Sequence, residues 1–154
     1  MIALIQRVKS ASVVIHEKRV SKIGLGLLVL IGIGKSDQDS DISYITDKIL
    51  NLRLFEKNNI SLSESVLSSG NEILIVSQFT LYASTRVGKR PDFSQSATSE
   101  NAKKLYSKLI LKLENFSKVK TGIFGEEMDV ELVNWGPFTI KIDSGDKDIP
   151  RSSF

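Results

Sequence analysis

The chain has 154 residues, 41% of them apolar and 25% charged, the proportions of one globular domain rather than two. It has no cysteine and one histidine, His16, which excludes disulfides, zinc–thiolate and iron–sulfur sites, thiol nucleophiles and multi-histidine metal centres. Lysine and arginine number 21 against 18 acidic residues, and the resulting net charge of +3 permits a polyanionic partner without demanding one.

In chain order, Ile2 and Leu4, then Ala11, Val13 and Ile15, alternate with period two and predict strands, with a hairpin turn at Glu17-Lys18. Leu25 to Ile33 is a nearly continuous apolar run, the pattern of a strand buried on both faces. It is far shorter than the roughly 20 residues of a membrane helix. Too few residues precede Gln6 and Arg7 for the apolar core of a signal peptide. The expectation is a soluble, cytoplasmic protein with no membrane contact.

Ser36-Asp37-Gln38-Asp39 predicts a helix start with acidic residues in its first turn. Ile42, Ile45 and Ile49 then form one stripe on a helix ending near Asn51. Leu52 to Phe55 reads as a short strand and Lys57-Asn58-Asn59 as a turn. Ile73 to Val76 is a second buried strand, running into Ser77-Gln78-Phe79-Thr80-Leu81, and Ser84 to Asp92 is a polar loop with Gly88 and Pro91. Ser99 to about Ser117 predicts a helix with Ala102, Leu105, Leu109, Leu113 and Phe116 on one face. Lys103, Lys104, Lys108 and Lys112 lie elsewhere on it, as a solvated face or as phosphate contacts. Met128–Val133 and Phe138–Ile142 read as two strands separated by Asn134-Trp135-Gly136-Pro137. Residues 1–143 form one domain, and the polar tail 144–154 is expected to be mobile. Strands in hairpins outnumber helices, so the class is α+β: a curved, barrel-like, mostly antiparallel sheet with flanking helices.

Two familiar motifs fail on the same residue. Gly34-Lys35-Ser36 lies between a strand and a helix, but a phosphate-binding loop needs a glycine where Val29 stands. Val29 also occupies the third glycine position of a dinucleotide fingerprint begun at Gly24-Leu25-Gly26. A serine-hydrolase triad needs a histidine base, and His16 lies in the polar phase of the first hairpin. Hydrolysis here has to draw its proton transfers from a carboxylate, a lysine, the backbone or the substrate.

Two segments carry more signal. Ser77-Gln78-Phe79-Thr80 sets hydroxyl, amide and aromatic side chains at the end of an aliphatic strand, where clefts are often built. Asn134-Trp135-Gly136-Pro137-Phe138-Thr139 reads first as a turn, or as a buried corner or subunit contact because two aromatics flank Gly-Pro.

Met1-Ile2-Ala3-Leu4-Ile5-Gln6-Arg7-Val8, Ser77-Gln78-Phe79-Thr80-Leu81, Thr121-Gly122-x-Phe124-Gly125 and Asn134-x-Gly136-Pro137-x-Thr139 together resemble the D-aminoacyl-tRNA deacylase family in order and spacing, over about residues 1–143. The resemblance implies a homodimer, with its site at the subunit interface, that hydrolyses the ester between a D-amino acid and the 3′ terminal adenosine of tRNA. Such an enzyme proofreads chirality and also clears mischarged glycyl-tRNA. Gly136-Pro137 would be cis and enter the partner's pocket, its carbonyls accepting from the substrate ammonium and clashing with any L side chain. Arg7 would hold that motif in place; read alone, it is an edge-strand charge. Ser77, Gln78, Phe79 and Thr80 would lie against the scissile ester, with a backbone N–H near Phe79 stabilising the oxyanion.

Thr80 as a covalent nucleophile is the weaker route, because no histidine is near in sequence to serve as base. Water attack assisted by the 2′-hydroxyl of the tRNA is preferred. Phe124 and Met128 would line the adenine pocket, although each alone reads as core. Arg86, Lys89 and Arg90 are candidates for the acceptor-stem phosphates or for plain solvated charge. No cofactor and no metal are implied. The chain departs from the family at Trp135, often aspartate, and Phe138, often valine, which bears on the pocket or the dimer contact. The rival readings are a non-catalytic nucleic-acid-binding module and an esterase of small D-amino-acid esters.

Overall fold

In the computed structural model, which describes residues 1–150, the strands and helices are β1 (Ile2–Ile15), β2 (Lys18–Ile23), β3 (Gly26–Gly32), α1 (Asp39–Asn51), β4 (Arg53–Lys57), β5 (Ile60–Ser65), α2 (Val66–Ser69), β6 (Glu72–Ser77), α3 (Ser99–Glu114), β7 (Val119–Thr121) and β8 (Asp129–Asp143). One edge of β1 pairs with β8 along nearly its whole length, and the other pairs first with β3 and then with β2, all antiparallel. β6 and β7 extend the sheet from β3 in parallel. β2 curls round to touch β6 and β7, so the mixed sheet nearly closes into a barrel. β4 and β5 form a separate antiparallel pair. Among the described residues no helix is long and apolar enough to cross a membrane.

The first hairpin turns one residue earlier than expected. His16 and Glu17 adopt φ of 47° and 63°, the left-handed pair that suits the twist of a tight hairpin, and Lys18 already belongs to β2. His16 is exposed. In β1, Ala3 and Ile5 face the helices, whereas Val8, Ala11, Val13 and Ile15 face the barrel interior. Odd positions therefore change sides midway. The cause is a register shift against β8: Val8 pairs with Asn134 but Ser10 with Val133, leaving Lys9 as an extra residue.

β3 is buried on both faces, as its apolar run predicts: Leu27, Val29 and Ile31 meet the helices while Leu28 points inward with Leu74 and Val76. Ile42, Ile45 and Ile49 of α1 are buried in the same core as Leu109 and Leu113 of α3. Each such side chain contributes about 1.5–3 kcal/mol. The expected α3 stripe needs one correction. Phe116 lies beyond the helix and is 56% exposed, and Tyr106, absent from the expected stripe, is buried.

The expected pair of strands around Gly136-Pro137 is one continuous strand, β8, with a local bulge. Nor is the segment after Asp143 free as far as Lys147. Ser144 is buried, its N–H donating to the Met1 carbonyl at 2.8 Å, and Lys147 reaches Asp41 at 2.9 Å. Positions 151–154 of the expected tail lie outside the described residues.

Burial pushes the Asp41 carboxyl up, but the hydrogen bonds from Lys147, the Gln38 N–H and Ser144 outweigh it and hold it at about 2, below the usual 3.8. A carboxyl depressed on folding stabilises the fold above its unfolded pKa and loses that contribution as pH falls through the folded value. Thermal melts should therefore show stability lost between about pH 4 and pH 2. Asp41→Asn should lower Tm by a few degrees at pH 7 and flatten that acid limb; an unchanged limb would mean that other carboxylates set it.

Candidate active site

β6 delivers Val76 and Ser77 to the end of the sheet, where the Gln78 N–H donates to the Ile31 carbonyl at 2.7 Å and completes the ladder with β3. The chain then winds into a 3-10 turn, Phe79–Tyr82, rather than leaving as a strand. The N–H groups of Phe79 and Thr80 open this turn and have no partner within it. The Gln78 side-chain amide donates to the Thr80 hydroxyl. Phe79 is exposed, resting edge-on against Phe93 at 4.9 Å between centroids, and its carbonyl accepts from Ser96 at 3.1 Å.

Gly32 and Gly34 seat this turn. A Cβ on Gly32 would lie 2.9 Å from the Cβ of Leu81, and one on Gly34 would lie 2.7 Å from the Tyr82 ring. Gly34, which fails as part of a phosphate-binding loop, and Gly32 let the 3-10 turn pack onto the end of β3. The Tyr82 hydroxyl reaches Asp37 at 3.4 Å, and burial followed by the Asp37 charge pushes that phenol up, so it stays a neutral donor.

A cavity of about 600 Å³ opens beside the turn, lined by Ser77, Gln78 and Phe79 on one side and by Phe124 and Met128 on the other. The second wall is held from below. Tyr106 of α3 donates its hydroxyl to the Ile75 carbonyl at 3.0 Å and packs its ring on Phe124 at 5.6 Å. Gly122 bonds back to Ile75 at 3.0 Å and leaves room for the Met128 sulfur, which a Cβ would approach to 2.6 Å. Ala97 and Ala102 near the start of α3 complete an apolar floor, and Glu126 and Glu127 stand at the cavity as well.

The bulge in β8 is a separate construction. Gln6 pairs with Thr139 and Val8 with Asn134, so residues 135–138 stand opposite Arg7 alone. Asn134 closes the base with its side chain: its Oδ1 accepts from the Phe138 N–H at 2.7 Å, and its Nδ2 donates to the Phe138 carbonyl and Thr139 Oγ1, both at 3.3 Å. The Gly136-Pro137 peptide bond is cis, Gly136 has φ of 145°, and both residues are exposed. Arg7 lies beneath, its Nε donating to the Trp135 carbonyl at 3.0 Å and its Nη1 to the Leu54 carbonyl at 2.7 Å.

Of the expected site residues, Ser77, Gln78, Phe79, Phe124 and Met128 share one cavity, and Thr80 adjoins it without lining it. Arg7, Gly136 and Pro137 form a second group that does not line it. Arg86, Lys89 and Arg90 are exposed on a loop pinned at its base by paired hydrogen bonds between Ser84 and Asp92. Lys108 and Lys112 are engaged with Asp39 and Ser43 of α1, whereas Lys103 and Lys104 face solvent. Gly32, Gly34, Tyr106 and Asn134 support the site without having been singled out for it. Only Asn134 carried a signal, as a fixed position in the Gly-Pro motif.

With this geometry, the chain matches over residues 4–143 the family described as D-Tyr-tRNA(Tyr) deacylase. It is 50% identical to the D-aminoacyl-tRNA deacylase of Thermosipho africanus (strain TCF52B), with 94% of this chain and 97% of that protein covered. It is 49% identical to that of Aquifex aeolicus (strain VF5), with coverages of 94% and 98%. Among solved structures, one described as a c-Myc DNA unwinding element binding protein superposes with a TM-score of 0.89 at 38% identity, covering 93% of this chain and 98% of that one. A probable eukaryotic D-amino acid tRNA deacylase shares the fold at a TM-score of 0.78 and 18% identity, with coverages of 92% and 97%. The chain belongs to the D-Tyr-tRNA(Tyr) deacylase family and is a hydrolase of ester bonds.

Proposed function

We propose that this enzyme removes D-amino acids from tRNA at the 3′ terminal adenosine, with the cavity beside the 3-10 turn receiving that nucleoside. One observation carries the reading: Ser77, Gln78 and Phe79, together with Phe124 and Met128 from a distant part of the chain, close on one cavity of about 600 Å³. Its aromatic and thioether wall suits a base, and its size falls in the usual small-ligand range of about 300–1,000 Å³. The Phe79 N–H donates to the oxyanion that forms when water attacks the ester carbonyl. The ester's C–O bond then breaks, and the 3′-oxygen of the ribose leaves with a proton relayed by the adjacent 2′-hydroxyl. Thr80 orients the ester, its hydroxyl already held by Gln78.

In a homodimer, the Gly136-Pro137 tip of one protomer meets the cavity of its partner. Support comes from the single chain, where the tip is exposed and separate from the cavity. The Gly136 and Pro137 carbonyls accept from the substrate ammonium of a D-amino acid and collide with an L side chain. Glycine, with no side chain, escapes rejection, so glycyl-tRNA is also cleared. A tRNA ester as substrate puts this work in the cytoplasm.

Matched D- and L-tyrosyl-tRNA, followed for amino-acid release, test this reading. Rapid loss of the D-ester alone is expected, with KM rising steeply as salt competes for the RNA phosphates. Salt-independent turnover of small D-amino-acid esters would favour the esterase alternative. Thr80→Val should slow deacylation but leave it measurable; complete loss together with a trapped acyl-enzyme in the wild type would establish covalent catalysis.

A further inference from the structure

Among the described residues no carboxylate pairs with Arg7. Its charge is met instead by two carbonyls and two rings. The guanidinium carbon lies 4.6 Å from the Trp135 ring centroid and 4.9 Å from that of Phe138. Both distances fall inside the roughly 6 Å over which a ring attracts a cation. A Cβ on Gly136 would stand 3.2 Å from Nη2, so the tip rests on the guanidinium itself. Two hydrogen bonds, to Trp135 and to Leu54, leave the guanidinium free to tip about the line joining its acceptors. The rings remove that freedom.

We propose that Trp135 and Phe138 are positioning residues, which clamp Arg7 and through it hold the Gly136-Pro137 tip in the orientation that rejects L-aminoacyl esters. The proposal rests on the chiral reading given above. Both side chains also pack against the main core. The test therefore has to separate apolar bulk from an aromatic face.

Trp135 is the only tryptophan, so its emission reports the clamp directly. In Arg7→Lys, a point charge that cannot serve both carbonyls, Trp135 emission should shift to the red and become easier to quench with acrylamide. Unchanged emission and quenching would overturn the clamp. For function, Trp135→Leu and Phe138→Leu keep apolar volume and remove the ring face, while Trp135→Phe keeps a ring. Each leucine variant should lose roughly tenfold in the ratio of D- to L-tyrosyl-tRNA hydrolysis. Trp135→Phe should retain most of that ratio. Equal ratios for the phenylalanine and leucine variants at position 135 would reduce Trp135 to packing and overturn the proposal. A wild-type enzyme that hydrolyses both esters alike would instead overturn the chiral reading itself, and that result precedes any substitution.

Discussion

Gly32→Ala is expected to cut kcat for D-aminoacyl-tRNA by about 100-fold, the cost typical of a catalytic group displaced by about 1 Å. The added Cβ would lie 2.9 Å from Leu81 Cβ and 3.2 Å from the Gln78 carbonyl oxygen. Neither neighbour is a flexible side-chain end, so the 3-10 turn has to move, taking the N–H groups of Phe79 and Thr80 with it. Overpacking of this kind costs about 1–3 kcal/mol of stability, which the rest of the core can absorb. Gly34→Ala is the useful comparison, because its Cβ meets the far end of the Tyr82 ring. That ring can swing, so the loss of activity should be smaller. Single-turnover deacylation read beside Tm decides the matter: a lowered Tm with near-normal kcat in Gly32→Ala would mean that the turn is not the reacting surface.

Gly136→Ala should collapse chiral discrimination, lowering the ratio of D- to L-ester hydrolysis by about 100-fold. Its φ of 145° is one that side-chain-bearing residues rarely adopt, and a Cβ would stand 2.9 Å from the Phe138 nitrogen. Holding alanine there costs about 1–3 kcal/mol, so the tip relaxes to another shape. The cavity beside β6 is built from other segments and should keep its form. Hydrolysis of glycyl-tRNA should therefore survive far better than L-rejection. If the variant kept its full preference for D-esters, selection would have to arise within the cavity.

The buried strands and the two long helices were legible because their apolar periods are strong. Ile42, Ile45 and Ile49 in α1 and the apolar run of β3 and Ile33 are core residues, although Leu25, at the start of the expected run, lies before β3 and is exposed. β5 was not read from the sequence: Ile60 and Leu62 alternate with serines only briefly, both are exposed, and Leu62 takes a positive φ. β7 is three residues long and owes its existence to an open parallel edge of β6, which local sequence does not record.

The site was legible in part for the same reason. Ser77 to Thr80 stood out as polar chemistry at the end of an aliphatic strand, but the 3-10 turn and its seat on Gly32 and Gly34 depend on contacts across the fold. Gly136-Pro137 suggested a connection between strands, because proline cannot donate to a ladder. Within β8 the missing donor does no harm, since residues 135–138 have left the ladder altogether.

Asn134 has a consequence for how this protein can change. By bonding both main-chain groups of Phe138, its side chain closes the bulge below the tip and lets the sheet resume at Thr139. The tip is thereby freed from the register of the ladder, and Arg7 and the packing of the two flanking rings tie it to the barrel. Substitutions at 135, 137 or 138 can reshape what is presented without disturbing strand register. A transplant of residues 134–139 into a relative should carry the tip's shape with it, provided an arginine waits at the position of Arg7.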